Sequence, residues 1–327
     1  MGLFNFKDKI STPPTPKERL GKAWLMVIGK NKKQAGLDIM KTLDKEGCTE
    51  ATIACAMFET DSEERKRLVK KAADAHHSEG LWQYSGFLPH SPIPDPENAE
   101  DALWEKYCLA AAEGGSTDAM NEMGNVFHRR KNYAESMYWY AMAHSYGFPN
   151  SEVSLLGIAK KWADAGSPYE FIKGSPKFDE QRFKCAVAYL EMYSSKEMTI
   201  NPAEIIAMAL DKVPLAAYLA GSIVENIGNY KLAYKIYNAI SMDNDCHGLK
   251  CCADMIFTGK GTEKDLKSAV NMYTLAAEFG DPAAMFTMGE LTKSINKNLA
   301  AYWYGTAHSR GYAPALARLQ EMSKKLL

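Results

Sequence analysis

The 327-residue sequence has almost no charge excess: 39 Lys and Arg against 40 Asp and Glu leave a formal charge of −1. That balance lacks the basic surplus needed to neutralise a long phosphate backbone, so no nucleic-acid partner is expected. No apolar run approaches the roughly 20 residues of a membrane-spanning helix, so no transmembrane segment is expected either. Seven cysteines, Cys48, Cys55, Cys108, Cys185, Cys246, Cys251 and Cys252, include no CxxC pair, the spacing of a structural zinc site. The first residues lack the apolar centre and small-residue cleavage site of an export signal. Phe6 also stands where a myristoylated Gly2 would want Ser or Thr. Reduced thiols in a cytoplasmic protein are the expectation, with the vicinal Cys251 and Cys252 read as buried helix residues.

Catalytic signatures are missing as well. There is no GxSxG elbow, Walker loop or HExxH helix. Gly259-Lys260-Gly261 lacks the remaining glycine and the strand context of a phosphate loop. His76 and His77 are adjacent, and neighbours on a helix point apart, whereas paired ligands sit one turn from each other. No cofactor, metal or catalytic residue is expected, and the chain reads as a non-enzyme.

What the sequence does contain is repetition. Tyr138-Trp139-Tyr140-Ala141-Met142-Ala143-His144-Ser145-Tyr146-Gly147 returns as Tyr302-Trp303-Tyr304-Gly305-Thr306-Ala307-His308-Ser309-Arg310-Gly311. Looser copies run from Tyr273 to Gly280 and from Tyr107 to Gly115. Closing positions fall at Gly47, His76, Gly115, Gly147, Glu180 (a weak mark), Lys212, Asn244, Gly280 and Gly311. The step is about 33 residues, the length of one helix–turn–helix unit. Ala119, Met120, Met123, Gly124 and Phe127 make the apolar stripe of a first helix; Ala134, Met137, Tyr138 and Ala141 make that of a second. Glycine then closes the pair, because it accepts the left-handed backbone that ends a helix. Trp139, Tyr140, Trp303 and Tyr304 recur in register and read as packing between units. His144 and His308 do likewise.

The segment Phe257 to Ala269, with its Gly259-x-Gly261, Asp265 and Lys267-x-Ala269, resembles the inter-helix segment of Sel1-like repeats in the tetratricopeptide superfamily. Tyr273 to Gly280 and Ala284 continue that pattern. The resemblance implies an all-α fold, an α/α superhelical solenoid of Sel1-like, tetratricopeptide-like helix–turn–helix repeats. Its expected divisions are a flexible tail and Pro-rich linker (1–16), degenerate repeats (17–96) and good repeats (97–150). Degenerate repeats with an insertion (151–213) and further repeats with a C-terminal capping helix (214–327) complete them.

In such solenoids the first helices line the concave surface, so their off-stripe residues are the expected partner-binding set. These are Asn121, Glu122, Asn125, His128 and Arg129 in one unit and Thr287, Glu290 and Lys293 in the last full one, with Trp82 and Tyr84 beside the Pro-rich loop. Asn121 and Asn125 stand out, because an amide both donates to and accepts from a peptide backbone. The expected function is a scaffold or adaptor holding a protein or peptide on that face. A narrower alternative implied by the resemblance is a bacterial immunity or chaperone-like protein for a secreted effector. Another is a membrane-proximal scaffold docked through Leu3, Phe4 and Phe6 beside Lys7 and Lys9.

Overall fold

Polar side chains start most of the helices. Asp61, Asn98, Ser116, Asn132, Asp179, Asp265, Asp281 and Asn296 each accept a backbone N–H from the first turn of the helix that follows. The computed structural model describes residues 13–29, 32–148, 150–194, 198–211, 213–241 and 246–324, and among them finds helices and no strand. Lys212, Asn244 and the tail residues Leu3, Phe4 and Phe6 lie outside the described residues.

The N-terminal half builds four hairpins. They are α1 (Pro16–Ile28) with α2 (Lys33–Lys45), α3 (Thr49–Phe58) with α4 (Ser62–Asp74), α5 (Ser78–Ser85) with α6 (Ala99–Glu113), and α7 (Thr117–Arg129) with α8 (Tyr133–Ser145). Then follow α9 (Asn150–Ala165), α10 (Pro168–Phe171), α11 (Glu180–Tyr193) and α12 (Pro202–Leu210). Hairpins resume with α13 (Pro214–Asn226) and α14 (Tyr230–Ser241), α15 (Cys246–Thr258) and α16 (Leu266–Glu278), and α17 (Pro282–Thr292) and α18 (Lys297–Ser309). The final helix is α19 (Ala313–Lys324).

Turns between hairpins repeat one conformation. Gly47, Gly115, Gly147, Gly280 and Gly311 have φ between +83° and +111°, and His76 holds the same left-handed place at +56°. The mark near Glu180 is a correction: Glu180 is the first residue of α11, capped by Asp179, so it opens a helix. Pairing within 151–213 also departs from the hairpin pattern. α9 packs on α8 and α10, while α11 packs on α8 and α13.

The stack bends until its ends meet. α1 packs along α18 as closely as the helices of a hairpin pack on each other, and α19 packs on both. Two glycines make this possible. A Cβ on Gly305 would lie 2.3 Å from Trp24 Nε1, and one on Gly21 would strike the α18 backbone. The apolar core follows this closure. Residues of α1 to α4 share one buried cluster with α15 to α19, while α6 to α8, α11 and α12 belong to the other.

The Tyr-Trp pairs show that α1 acts as the next unit of the stack. Tyr138 and Trp139 on α8 are buried and meet edge to face at 5.5 Å, with Arg182 of α11 lying 5.0 and 5.8 Å over the two rings. Tyr302 and Trp303 on α18 meet at 4.9 Å, and Lys17 of α1 lies 5.6 and 5.0 Å over them. α1 thus stands to α18 as α11 stands to α8. Both tryptophans are 3% exposed, wedged between successive units.

Candidate functional site

The expected binding residues form two separate polar strips. On α7, Glu122 pairs with Arg129 at 2.7 Å and accepts from Asn125 Nδ2 at 2.8 Å. Asn125 Oδ1 accepts from Tyr140 Oη at 2.6 Å, so its amide already donates and accepts within the chain. Asn121 keeps a buried Oδ1 with no partner. His128 lies 3.5 Å from Lys161 Nζ through Nε2, and its buried Nδ1 is also unpartnered. Burial, and then the Lys161 charge, hold its pKa below the usual imidazole value.

On α17, Glu290 accepts from Tyr304 Oη at 2.7 Å and pairs with Lys293 and with Arg318 of α19. Thr287 donates back to the Ala283 carbonyl of its own helix. Trp82 and Tyr84 are half-buried against the core; Tyr84 meets Tyr107 edge to face at 5.1 Å and has Lys70 over its ring.

Asn125 and Glu290 turn out to share a device. In each of these units the ring of a tyrosine on the second helix packs against a small residue of the first, and its hydroxyl binds the polar residue that follows. A Cβ on Gly124 would lie 2.5 Å from the Tyr140 ring, one on Gly221 2.1 Å from Tyr237, and one on Gly289 2.5 Å from Tyr304. The hydroxyls reach Asn125, Ser222 (3.1 Å) and Glu290. Tyr273 bonds Asp254 at 2.5 Å in a fourth copy, where Ala253 takes the glycine's place. These polar residues therefore orient the hairpin as well as facing outward.

A second polar cluster, missed in the sequence, forms where inter-hairpin turns meet across the ring. Thr117 Oγ1 donates to the Arg310 carbonyl at 3.2 Å, and Arg310 Nη1 donates to Ser78 Oγ at 2.6 Å. Arg310 Nη2 faces His77 Nε2 at 3.4 Å, and His77 Nδ1 accepts the Gly80 N–H that opens α5. A Cβ on Gly280 would lie 3.1 Å from the Gly114 carbonyl oxygen. His247 stacks on Tyr146 at 4.9 Å and sits 3.5 Å from Asp281.

Burial dominates the electrostatics of this cluster. It pushes the Glu79 carboxyl up to about 8, so that group is largely protonated at neutral pH. Burial and the neighbouring Arg310 charge hold His77 well below the ordinary imidazole value, so it is neutral. The one legible signal was position: Arg310 precedes its closing glycine where sister units carry Tyr146 and Phe279. Among the described residues no three His, Cys, Asp or Glu side chains converge as a metal site. Burial raises Cys55, Cys108 and Cys185 to about 12, so these thiols are poor nucleophiles.

No family model matches the chain, and no curated protein matches it. Among solved structures it is similar to a protective antigen present in uropathogenic Escherichia coli strains, described as displaying an SLR fold. Identity is 17%, with 92% of this chain and 70% of that one covered at a TM-score of 0.38. It is also similar to a Sel1 repeat protein from Oxalobacter formigenes, at 16% identity, 98% coverage of both chains and a TM-score of 0.35. The glycine-closed hairpins and the buried Tyr-Trp pairs make this chain an all-α solenoid of helical hairpins, whose repeat residues resemble those of Sel1-like repeats.

Proposed function

We propose that the chain is a non-catalytic, cytoplasmic interaction scaffold whose partner, a protein or peptide, binds along the first helices around α7. One observation carries this reading. Asn121 Oδ1 and His128 Nδ1 are buried without hydrogen-bond partners on the helix that also presents the Glu122–Arg129 pair. Buried polar atoms left unmatched are costly, and a partner main chain, offering an N–H to Asn121 Oδ1 and a C=O to the His128 Nδ1–H, would relieve that cost. The seven free cysteines accord with a reducing compartment.

Immobilised chain should retain a specific protein from lysate of its native cell, identified by mass spectrometry. The double variant Asn121→Leu, His128→Leu should fold with an unchanged or higher melting temperature and lose that protein. Equal capture by the parent and a folded variant would contradict the assignment of α7.

A further inference from the structure

A cavity of about 550 Å³ lies at the seam where the first hairpin closes on the last ones. Leu43, Met285, Tyr302 and Trp303 line it with apolar surface, and Lys17 and Arg310 also line it. This volume falls within the roughly 300–1,000 Å³ typical of small-molecule sites.

Arg310 is 7% exposed; Glu50 and the largely protonated Glu79 act on its charge only through space, with no ion pair formed. Two of its nitrogens face the neutral groups Ser78 and His77, and Nε is buried with no partner. Among the described residues no carboxylate pairs with it. Glu46 on the cavity wall is paired with Arg19 at 2.7 Å, and Glu278 with Lys17 at 3.0 Å. Glu50 is the wall carboxylate outside those pairs. A desolvated guanidinium with no carboxylate in contact is unfavourable, and an anion bound against it would relieve that cost.

We propose that this cavity binds a small organic monocarboxylate with an apolar or aromatic body, its carboxylate held by Arg310 and its body against Tyr302, Trp303, Met285 and Leu43. A planar carboxylate suits the guanidinium fork. A dianion such as phosphate is opposed by Glu46, Glu50 and Glu278 on the same walls. The occupant touches α1 to α3 on one side and α16 to α18 on the other, so binding also reinforces ring closure.

The test is melting temperature and titration calorimetry on the full chain with N-acetyl-phenylalanine, its C-terminal amide and inorganic phosphate. At ten or more times its Kd the free acid should raise the melting temperature by about 2–4 °C. The amide and phosphate should leave it unchanged. A hexapeptide ending in a free phenylalanine carboxylate distinguishes sources: tighter binding than the small acid identifies a peptide terminus, and weaker binding a free metabolite. Either result supports the site. Arg310→Met should abolish the response. Cys48→Phe, which fills the cavity from its wall with Arg310 in place, should abolish it too and serves if the first variant fails to fold. No response of the parent chain to either carboxylate, or a response that survives in either folded variant, overturns the proposal.

Discussion

Gly21 of α1 lies so close to Asn298 of α18 that a Cβ added to the glycine would fall 1.7 Å from the asparagine carbonyl oxygen. Backbone meets backbone there, with no flexible side chain to move aside. The two ends of the solenoid are joined by a contact only glycine permits.

Gly21→Ala should therefore open or strain the seam. Overpacking of this kind costs about 1–3 kcal/mol, and urea denaturation will read it as a lower midpoint. Gly47→Ala is not a suitable control, since its φ of +89° strains any other residue. Gly157→Ala is suitable, because nothing lies within 4 Å of its Cβ position. That exposed helical position should gain a few tenths of a kcal/mol to about 1 kcal/mol.

The tyrosine device separates into two measurable parts. Gly124→Ala pushes a methyl into the Tyr140 ring and should cost about 1–3 kcal/mol. Tyr140→Phe keeps the ring and removes the hydroxyl bonded to Asn125, for about 0.5–1.5 kcal/mol. A larger loss from Tyr140→Phe than from Gly124→Ala would show that the hydrogen bond, and not the close packing, dominates the hairpin contact.

Trp139→Ala should cost about 3–5 kcal/mol, the range for truncating a buried aromatic. In a stack where each unit leans on the next, the damage should spread. Hydrogen exchange should quicken in α11 as well as α8, because Arg182 of α11 lies over the Trp139 ring. Quickening confined to α8 would contradict coupling between the units.

Glu79 supplies a pH dependence with a definite sign. Its carboxyl is raised from 4.5 to about 8 in the folded chain, so the folded state binds the extra proton between those values. Its contribution to stability is full below about 4.5, falls as pH rises to about 8 and is flat above. Glu79→Gln removes that slope. The stability of the parent minus that of the variant should drop by a few kcal/mol from pH 5 to pH 8, about 1.4 kcal/mol per unit at most. His77 acts in the opposite sense, destabilising as pH falls below the usual imidazole value, but it is present in both chains and cancels in the difference.

The repeats were legible because their physical requirements are local. A closing glycine, a capping Asn or Asp and a stripe of Ala and Met each act within one hairpin. Ring closure was not legible, since Gly21 and Gly305 look like tolerated helix glycines until α1 meets α18. Helix pairing within 151–213 was not legible for a related reason: α11 finds its partners on α8 and α13, which no local period encodes. Among the binding candidates, Asn125 was visible as a polar residue off the apolar stripe. Its engagement by Tyr140 was not, because the tyrosine was read for its ring and not its hydroxyl. Arg310 was not legible as a buried polar centre, because its partners Ser78 and His77 lie in a distant unit.

The closed ring is most directly tested by a distance between its ends. Spin labels at the exposed Lys22 on α1 and Lys297 on α18 report that distance in solution by double electron–electron resonance. Helices packed at about 8–10 Å between axes predict a single short, narrow distribution, lengthened by Gly21→Ala. A long or broad distribution in the parent chain, with the two helices apart, would contradict the ring and remove the seam cavity with it.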